Sequence, residues 1–173
     1  MTTTVTKTAT ISEDGRYRYK LTRTWDEGLT PAIFIMLNPS TADADQDDPT
    51  IRRCIDFARR AGCGGIIVVN LYAYRATDPR HLRDATDPFG PDNDQALAEV
   101  FEQAATWGIP VIAAWGSKAD GYRVRQVRWL LLGVKVLSLG LTKFGHPRHP
   151  LYVRSDQPLT QWLTTEGRVV ERG

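Results

Sequence analysis

Four short, almost wholly apolar runs constrain the fold of this chain most strongly. They cover residues 32–37, 65–71, 109–115 and 134–139, and segments with helical patterning separate them. Strands that are apolar throughout are typical of parallel sheets covered on both faces, and strands that alternate with helices favour such sheets. The sequence therefore predicts an α/β fold of three layers (α/β/α) with a central four-stranded, mainly parallel sheet.

Three helices are predicted between these runs. Asp48-Pro49 is typical of an N-cap followed by the first helical residue, and Gly62 marks the end of that helix. A second helix should end at Gly108, and a third should cover residues 118–132. The helices supply the two outer layers of the predicted fold.

The two ends of the chain carry different signals. Asp14-Gly15, between two β-branched and aromatic runs, predicts an N-terminal β-hairpin. The C-terminal stretch predicts a loop with a short helix near residues 159–165. We therefore expect a single domain over 1–173, with a hairpin over 1–28, an α/β core over 32–153 and a C-terminal extension over 154–173.

Composition excludes several classes of protein. Hydrophobic residues make up 42% of the chain, which fits a globular domain. The net charge of +2 does not by itself indicate a nucleic-acid-binding protein. The arginines and aspartates are segregated, which permits a basic face. No apolar run is long enough for a transmembrane helix and no secretory signal is visible, so we expect a cytoplasmic protein without membrane contact. Cys54 and Cys63 are expected to be buried hydrophobes, and no cofactor is expected.

Polar residues follow each predicted strand at its carboxyl end. Asn38 follows the first strand, Asn70 ends the second, Trp115-Gly116 ends the third, and a histidine loop follows the fourth. Parallel sheets bind ligands at this edge. We therefore expect these segments to meet there and form a site.

The asparagines have distinct roles in this expectation. Pro39 restricts Asn38 to extended geometry, so the chain leaves the strand sharply and Asn38 presents its amide at the edge of the sheet. The alternative for Asn38 is a turn residue bonded to its own backbone. Asn70 ends an apolar strand, where an unpartnered amide is costly, so it bonds either to protein or to a ligand. Arg75 follows in a loop with Tyr72, for which simple packing is the alternative.

The loop "GHPRHPLY" holds His146 and His149, each followed by proline, with Arg148 between them. Proline restricts the loop, so an imidazole is held with less loss of entropy. Either histidine could donate a hydrogen bond to an anionic leaving group or move a proton.

An acidic stretch follows Asn38. Asp48 is expected to be a helix cap only, whereas Asp43, Asp45 and Asp47 have three interpretations: a solvated loop, a hard-metal site, or a carboxylate that activates water. No spacing matches a calcium loop, so a metal site is the minority interpretation and no metal ligand is assigned.

These stretches carry a resemblance to known families. Through "MLNPSTADADQDDPTIRRC", "VVNLYAYRATDP", "AWG" and "LGLTKFGHPRHPLY", the chain is similar to a bacterial and phage family known only as domain of unknown function number 1643. That membership implies no established activity.

A more distant resemblance is to the uracil-DNA glycosylase superfamily. Its ordered motifs match Asn38-Pro39, Asn70 with Arg75, and His149-Pro150. The resemblance implies that Asn38 orients water, Asn70 recognises a flipped base and His149 stabilises the departing base. Asparagine is not a general base, which implies either slow chemistry or help from Asp43 or Asp45. A flipped base also needs an aromatic stacking partner, for which the candidates are Phe57, Tyr72 and Phe89.

Three functions follow as hypotheses. The first is a glycosylase-like enzyme that acts on a nucleobase in DNA or a nucleotide. The second is a non-catalytic module that binds nucleic acid or nucleotide in the same pocket. The third is a metal-dependent phosphohydrolase that uses the carboxylates of residues 43–47. The expected catalytic residues are Asn38, His149, Asp43 and Asp45, and the expected binding residues are Pro39, Ser40, Asn70, Tyr72, Arg75, His146 and Arg148. The sequence predicts no oligomeric state.

Overall fold

The computed structural model describes residues 4–40 and 42–170. Seven strands form one sheet, and three α-helices flank it. The strands are β1 (Thr6–Ile11), β2 (Arg18–Thr24), β3 (Pro31–Met36), β4 (Gly65–Asn70), β5 (Val111–Ala113), β6 (Val136–Ser138) and β7 (Thr160–Leu163). The helices are α1 (Pro49–Arg60), α2 (Asn93–Trp107) and α3 (Gly121–Leu130).

The sheet is mixed, with the strand order β1-β2-β4-β3-β5-β6-β7. The three central pairings, β4–β3, β3–β5 and β5–β6, are parallel. The three outer pairings, β1–β2, β2–β4 and β6–β7, are antiparallel. The α/β class is as predicted, but the sheet has seven strands and not four, because strands from both ends of the chain extend it on either side.

The N-terminal hairpin confirms its prediction over the described residues. Its turn contains Gly15 at φ 71°, and β2 then pairs with β4, so the hairpin is part of the main sheet. The register shifts once: Thr10 pairs with Lys20 but Ile11 pairs with Arg18, which leaves Tyr19 as an extra residue of β2. Such a bulge redirects the side chains beside it. The first three residues of the predicted hairpin lie outside the described residues.

Each face of the sheet is covered by helix. The face toward α1 packs Phe34 and Val68 against Ile51, Cys54 and Phe57. The opposite face forms a second core with α2 and α3. Asp48 caps α1 as predicted, because its Oδ1 accepts the Ile51 N–H at 2.8 Å, and Pro49 follows. α2 ends as predicted at the left-handed Gly108.

The C-terminal stretch differs from its prediction. β7 replaces the expected loop and short helix, because Trp162 and Leu163 are buried and the strand pairs with β6 through Leu163, Gln161 and Thr160. The Trp162 ring packs edge-to-face against Trp115 with centroids 5.1 Å apart. Cys54 and Cys63 are free and buried, as expected of small hydrophobes. No helix in the described part of the chain has the length and apolar character needed to cross a membrane.

Candidate functional site

A cavity of about 790 Å³ lies at the edge of the sheet where the parallel strands end. Its wall includes Asn38, just beyond β3, and Asn70, the last residue of β4. Trp115 and Gly116 follow β5, and His149 lies in the loop after β6. The first turn of α1 completes the wall. The structure thus brings to one cavity the four segments that were expected to meet.

Asn70 is the most unusual of these residues. Its side chain is fully buried, yet within residues 4–40 and 42–170 neither Nδ2 nor Oδ1 has a hydrogen-bond partner. Its backbone oxygen is satisfied, because Asn93 Nδ2 donates to it at 3.1 Å. A buried amide without partners is destabilising by about 1–3 kcal/mol. A donor and an acceptor are therefore both available at this wall of the cavity.

Asn38 is held in one orientation by the protein. Its Nδ2 donates to the Pro39 oxygen at 3.0 Å and to the Ala76 oxygen at 2.8 Å. The Oδ1 acceptor is the amide atom that these two bonds do not use. Ser40 also lines the cavity, whereas Pro39 shapes the turn from outside the lining.

His149 has a defined hydrogen-bonding pattern. Its Nδ1 accepts the N–H of Leu151 at 3.2 Å, so in the neutral ring the proton sits on Nε2, which becomes a donor. Burial lowers the pKa of His149, and the Asp48 carboxylate acts in the opposite direction. Burial is the larger of the two effects, so the pKa of His149 lies below its usual value and the ring is neutral at neutral pH, with Nε2–H as its donor.

Gly116 positions the histidine loop. Its N–H donates to the Pro147 oxygen at 3.0 Å, and its φ of 79° lies in the left-handed region. A Cβ at this position would lie 3.4 Å from the Cβ of His149. Glycine therefore permits both the turn after β5 and the close approach of His149.

The other residues of the histidine loop divide into two groups. His146 does not line the cavity; its backbone N–H and oxygen bond to Thr142 and close the loop. Arg148 does line the cavity, and its Nε donates to the Leu141 oxygen at 3.1 Å while the side chain stays exposed. Geometry thus favours His149 over His146 as the histidine of the site.

Asp43 and Asp45 lie outside the cavity lining. Asp43 Oδ1 accepts the N–H groups of Gln46 and Asp45, each at 2.9 Å, and these bonds lower the pKa of Asp43. Asp45 is exposed. Asp43 therefore folds its own loop, and neither carboxylate is placed to activate water in this cavity.

The rest of the acidic loop is bonded to the hairpin. Arg23, which is fully buried, donates from Nε to Asp47 at 2.7 Å and from Nη2 to the Asp43 oxygen at 2.6 Å. Lys7 lies 3.7 Å from Asp47. These contacts account for the aspartates as structural partners of the hairpin. Over the described residues, no group of three or more His, Cys, Asp or Glu side chains could hold a metal ion.

Tyr72 and Arg75 pack beside the site rather than in it. The Tyr72 ring stacks on Phe89 with centroids 5.5 Å apart, and its hydroxyl accepts the Asp120 N–H at 3.3 Å. Arg75 Nη1 donates to the Gly15 oxygen at 3.2 Å. None of these side chains lines the cavity. Packing, the alternative considered for Tyr72, describes its contacts.

The aromatic side chains of the cavity are different ones from those expected. Phe57, a residue of α1, is buried in the core, whereas Trp115 and Tyr152 line the cavity. The Trp115 Nε1–H is buried and has no partner in the described part of the chain. The sequence indicated Trp115 through the "AWG" segment, but it contained no signal that distinguishes an aromatic residue of the cavity from one of the core.

Arg18 is a lining residue that the sequence did not indicate. It is 2% exposed and lines the cavity with Met36 and Val68. Regular alternation would place Arg18 on the face opposite Leu21, but the bulge at Tyr19 brings it to the same face. Burial lowers the pKa of Arg18 to about 10, so it remains charged at neutral pH.

The cavity carries an excess of positive charge. In the part of the chain that the structure describes, its lining includes four cationic side chains and a single carboxylate, that of Asp48. The cations are Arg18, Lys118, Lys143 and Arg148. Asp48 thus both caps α1 and lines the cavity, although the sequence indicated only the cap. This charge distribution favours an anionic ligand.

The fold and the site define a mixed α/β protein with a ligand-sized, positively charged cavity at the carboxyl edge of its parallel strands. The chain belongs to the family described as protein of unknown function DUF1643, whose model matches residues 18–151. The matched region contains every residue that lines the cavity except Tyr152.

Other comparisons add little. No curated protein matches the chain. Among solved structures, it is similar to the hetero-hexameric glutamate dehydrogenase from Thermus thermophilus, leucine-bound form, at 13% identity and a TM-score of 0.33. That likeness covers 74% of this chain and 30% of the other, and a TM-score this low carries no argument about fold or function.

Proposed function

We propose that this protein binds a nucleobase-containing ligand in the cavity and hydrolyses its N-glycosidic bond. The observation that carries the proposal is the unpartnered Asn70 amide, a donor and an acceptor side by side, in one cavity with the His149 Nε2 donor. A nucleobase edge presents complementary donors and acceptors to such an amide. We extend the proposal to the fold: the central parallel strands correspond to a uracil-DNA glycosylase-like arrangement.

The chemistry requires few groups. Water adds to C1′ of the sugar while the C1′–N bond breaks, and the electron pair of that bond stays on the base. The Nε2–H of His149 stabilises the negative charge that develops on the base. Asn38 Oδ1 orients the water, and Asp48, the carboxylate in the cavity lining, takes its proton. Asp48 here replaces the sequence-based candidates Asp43 and Asp45.

The experiment measures release of free base by chromatography. The substrates are oligonucleotides containing uracil, hypoxanthine or hypermodified pyrimidines, together with free nucleotides. His149→Gln and Asn38→Ala should each lower the rate of base release by about 10²–10³-fold, the usual loss when one positioned donor is removed. His81→Gln is the matched control, because His81 is exposed and lies outside the cavity lining. Absence of base release from every substrate would refute catalysis.

A second candidate function is binding without turnover. It is favoured by the excess of cations around the cavity and by Asp48, whose Oδ1 is already bonded to the N–H of Ile51. In that case a fluorescent oligonucleotide or nucleotide binds with an affinity that falls as salt rises, and no base is released. The metal-dependent phosphohydrolase hypothesis draws no support from the positions of Asp43 and Asp47, which are bonded within the loop and to the hairpin.

A further inference from the structure

Arg18 differs from the other buried arginines of this protein. Among residues 4–40 and 42–170, three arginines are almost fully buried: Arg18, Arg23 and Arg123. Arg23 is bonded through all three guanidinium nitrogens, to Asp47 and to three backbone oxygens. Arg123 donates to the Leu71 oxygen and forms an ion pair with Asp94. Arg23 and Arg123 are therefore each buried together with a carboxylate partner and backbone acceptors.

The Arg18 guanidinium lacks such pairing. Its Nη1 donates to the Ala42 oxygen, but its Nε has no partner in residues 4–40 and 42–170. It makes no ion pair with a carboxylate of those residues, and Asp48 acts on it only at longer range. A buried cation without a counter-ion is strongly unfavourable, and an anion that enters the cavity would supply the missing partner.

We propose that Arg18 binds an anionic oxygen group of the ligand, a phosphate or a carboxylate. The inference rests on the proposed function for the nucleobase part of the ligand, which Asn70 would hold. It narrows the substrate class: the ligand carries a negative charge near the base, so a neutral base or nucleoside alone is a poor fit. The rim cations Lys118, Lys143 and Arg148 add to the same preference.

The bulge at Tyr19 makes this assignment specific to Arg18. Without the extra residue, the Arg18 side chain would lie on the other face of the sheet, away from Met36 and Val68 of the cavity wall. Bulges commonly re-aim a side chain next to a functional site. The fold thus contains a local irregularity whose effect is to put one guanidinium in the cavity.

The test compares probes that differ only in the anion. Calorimetric titration of the full chain uses uridine against uridine 5′-monophosphate, the other common nucleosides against their monophosphates, and uracil against its 6-carboxylate. We expect the charged member of at least one pair to bind about tenfold or more tightly, as charged hydrogen bonds allow. The nucleotide pairs and the uracil pair distinguish phosphate from carboxylate.

Variants assign the preference to Arg18. In Arg18→Gln the charged and neutral probes should bind with equal affinity. Arg16→Gln, an exposed arginine of the same hairpin paired with Asp14, should retain the preference of the natural protein. If Arg18→Gln does not fold, competition in the natural protein decides: inorganic phosphate or acetate should displace the charged probe but not its neutral partner.

The outcomes separate this inference from the proposed function. Equal binding of charged and neutral probes to the natural protein overturns the role of Arg18 and leaves nucleobase binding intact. A preference that persists in Arg18→Gln assigns it to the rim cations and also overturns the inference. Failure of every probe to bind counts against the proposed function itself.

Discussion

Replacement of Asn70 with leucine should stabilise this protein. Leucine has nearly the shape of asparagine but no polar atoms, and Asn70 is fully buried with both amide atoms unpartnered among the described residues. Its substitution therefore breaks no side-chain hydrogen bond, while it removes the penalty for burying two polar atoms. That penalty is about 1–3 kcal/mol.

The gain in the free energy of unfolding can be measured as a shift in the melting temperature (Tm). For a chain of 173 residues, each kcal/mol shifts the Tm by about 2–4 °C. Asn70→Leu should therefore raise the Tm by about 2–12 °C in differential scanning calorimetry, and it should raise the urea midpoint without a change in slope. The same variant should lose ligand binding, because the donor and acceptor are gone.

Asn93→Leu is the matched control. Asn93 is equally buried and its Oδ1 also lacks a partner among the described residues, but its Nδ2 donates to the oxygens of Asn70 and Leu71 at 3.1 and 3.3 Å. Leucine at this position leaves two buried carbonyls with fewer partners, which costs about 1–3 kcal/mol. The two substitutions are chemically identical, yet their effects on stability should have opposite signs.

One result would refute the reasoning about Asn70. If Asn70→Leu lowers the Tm as much as Asn93→Leu does, the Asn70 amide forms hydrogen bonds in the folded protein and is not available to a ligand. If Asn70→Leu raises the Tm and abolishes binding, the unpartnered amide is a site feature that reduces stability.

Three further predictions follow from the contacts around the site. Gly116→Ala should destabilise the protein by about 1–2 kcal/mol, because φ is left-handed at this position, and it should lower base release, because the new Cβ displaces His149. Gly108 also has a left-handed φ but open space at its Cβ, so Gly108→Ala should lose stability without this effect on base release. Asp47→Ala should cost about 3 kcal/mol in urea unfolding, because it leaves the buried Arg23 without its carboxylate. Stability should fall as pH drops from about 6.5 through the lowered pKa of His149, since the unfolded chain takes up that proton first, and His149→Gln should remove this part of the slope.

Each of these predictions has a contrary result. Equal loss of activity in the Gly116 and Gly108 variants would mean that His149 is not positioned through Gly116. A change below about 0.5 kcal/mol for Asp47→Ala would mean that the loop and hairpin are not coupled through Arg23. An unchanged pH slope in His149→Gln, measured by urea unfolding at several pH values, would mean that another group titrates.

The parts of the fold that the sequence predicted are those fixed by burial on both faces. The strands β3 and β4 and the helix α1 carry continuous apolar runs or a cap with a proline, so their local patterns and tertiary roles agree. β7 could not be predicted in this way. Its pattern is half exposed, with only Trp162 and Leu163 buried, and its pairing with β6 is a long-range contact that no local pattern encodes.

The candidate site was predictable where it depends on strand ends and not where it depends on irregular backbone. Asn38, Asn70 and His149 lie at the cavity because parallel strands place their carboxyl ends at one edge. Arg18 was missed because a bulge, which has no reliable sequence signal, reverses the face on which it lies. The prediction that Asp43 or Asp45 assists catalysis failed to locate them, because the sequence does not show which groups a carboxylate contacts in the fold.

Those cations come from the hairpin, which makes the hairpin part of the site. Lys7, Arg18 and Arg23 donate to the backbone oxygens of Asp45, Ala42 and Asp43, and Arg23 also pairs with Asp47. The loop they hold connects the cavity residues Ser40 and Asp48. An acidic stretch beside a site for an anion would ordinarily repel the ligand. Here Lys7 and Arg23 of the hairpin pair with the carboxylate of Asp47, and the hairpin holds the stretch in place through its backbone oxygens. Lys7 and Arg23 thus offset the charge of Asp47 outside the cavity, whereas the four cations of the cavity lining share that lining with the Asp48 carboxylate.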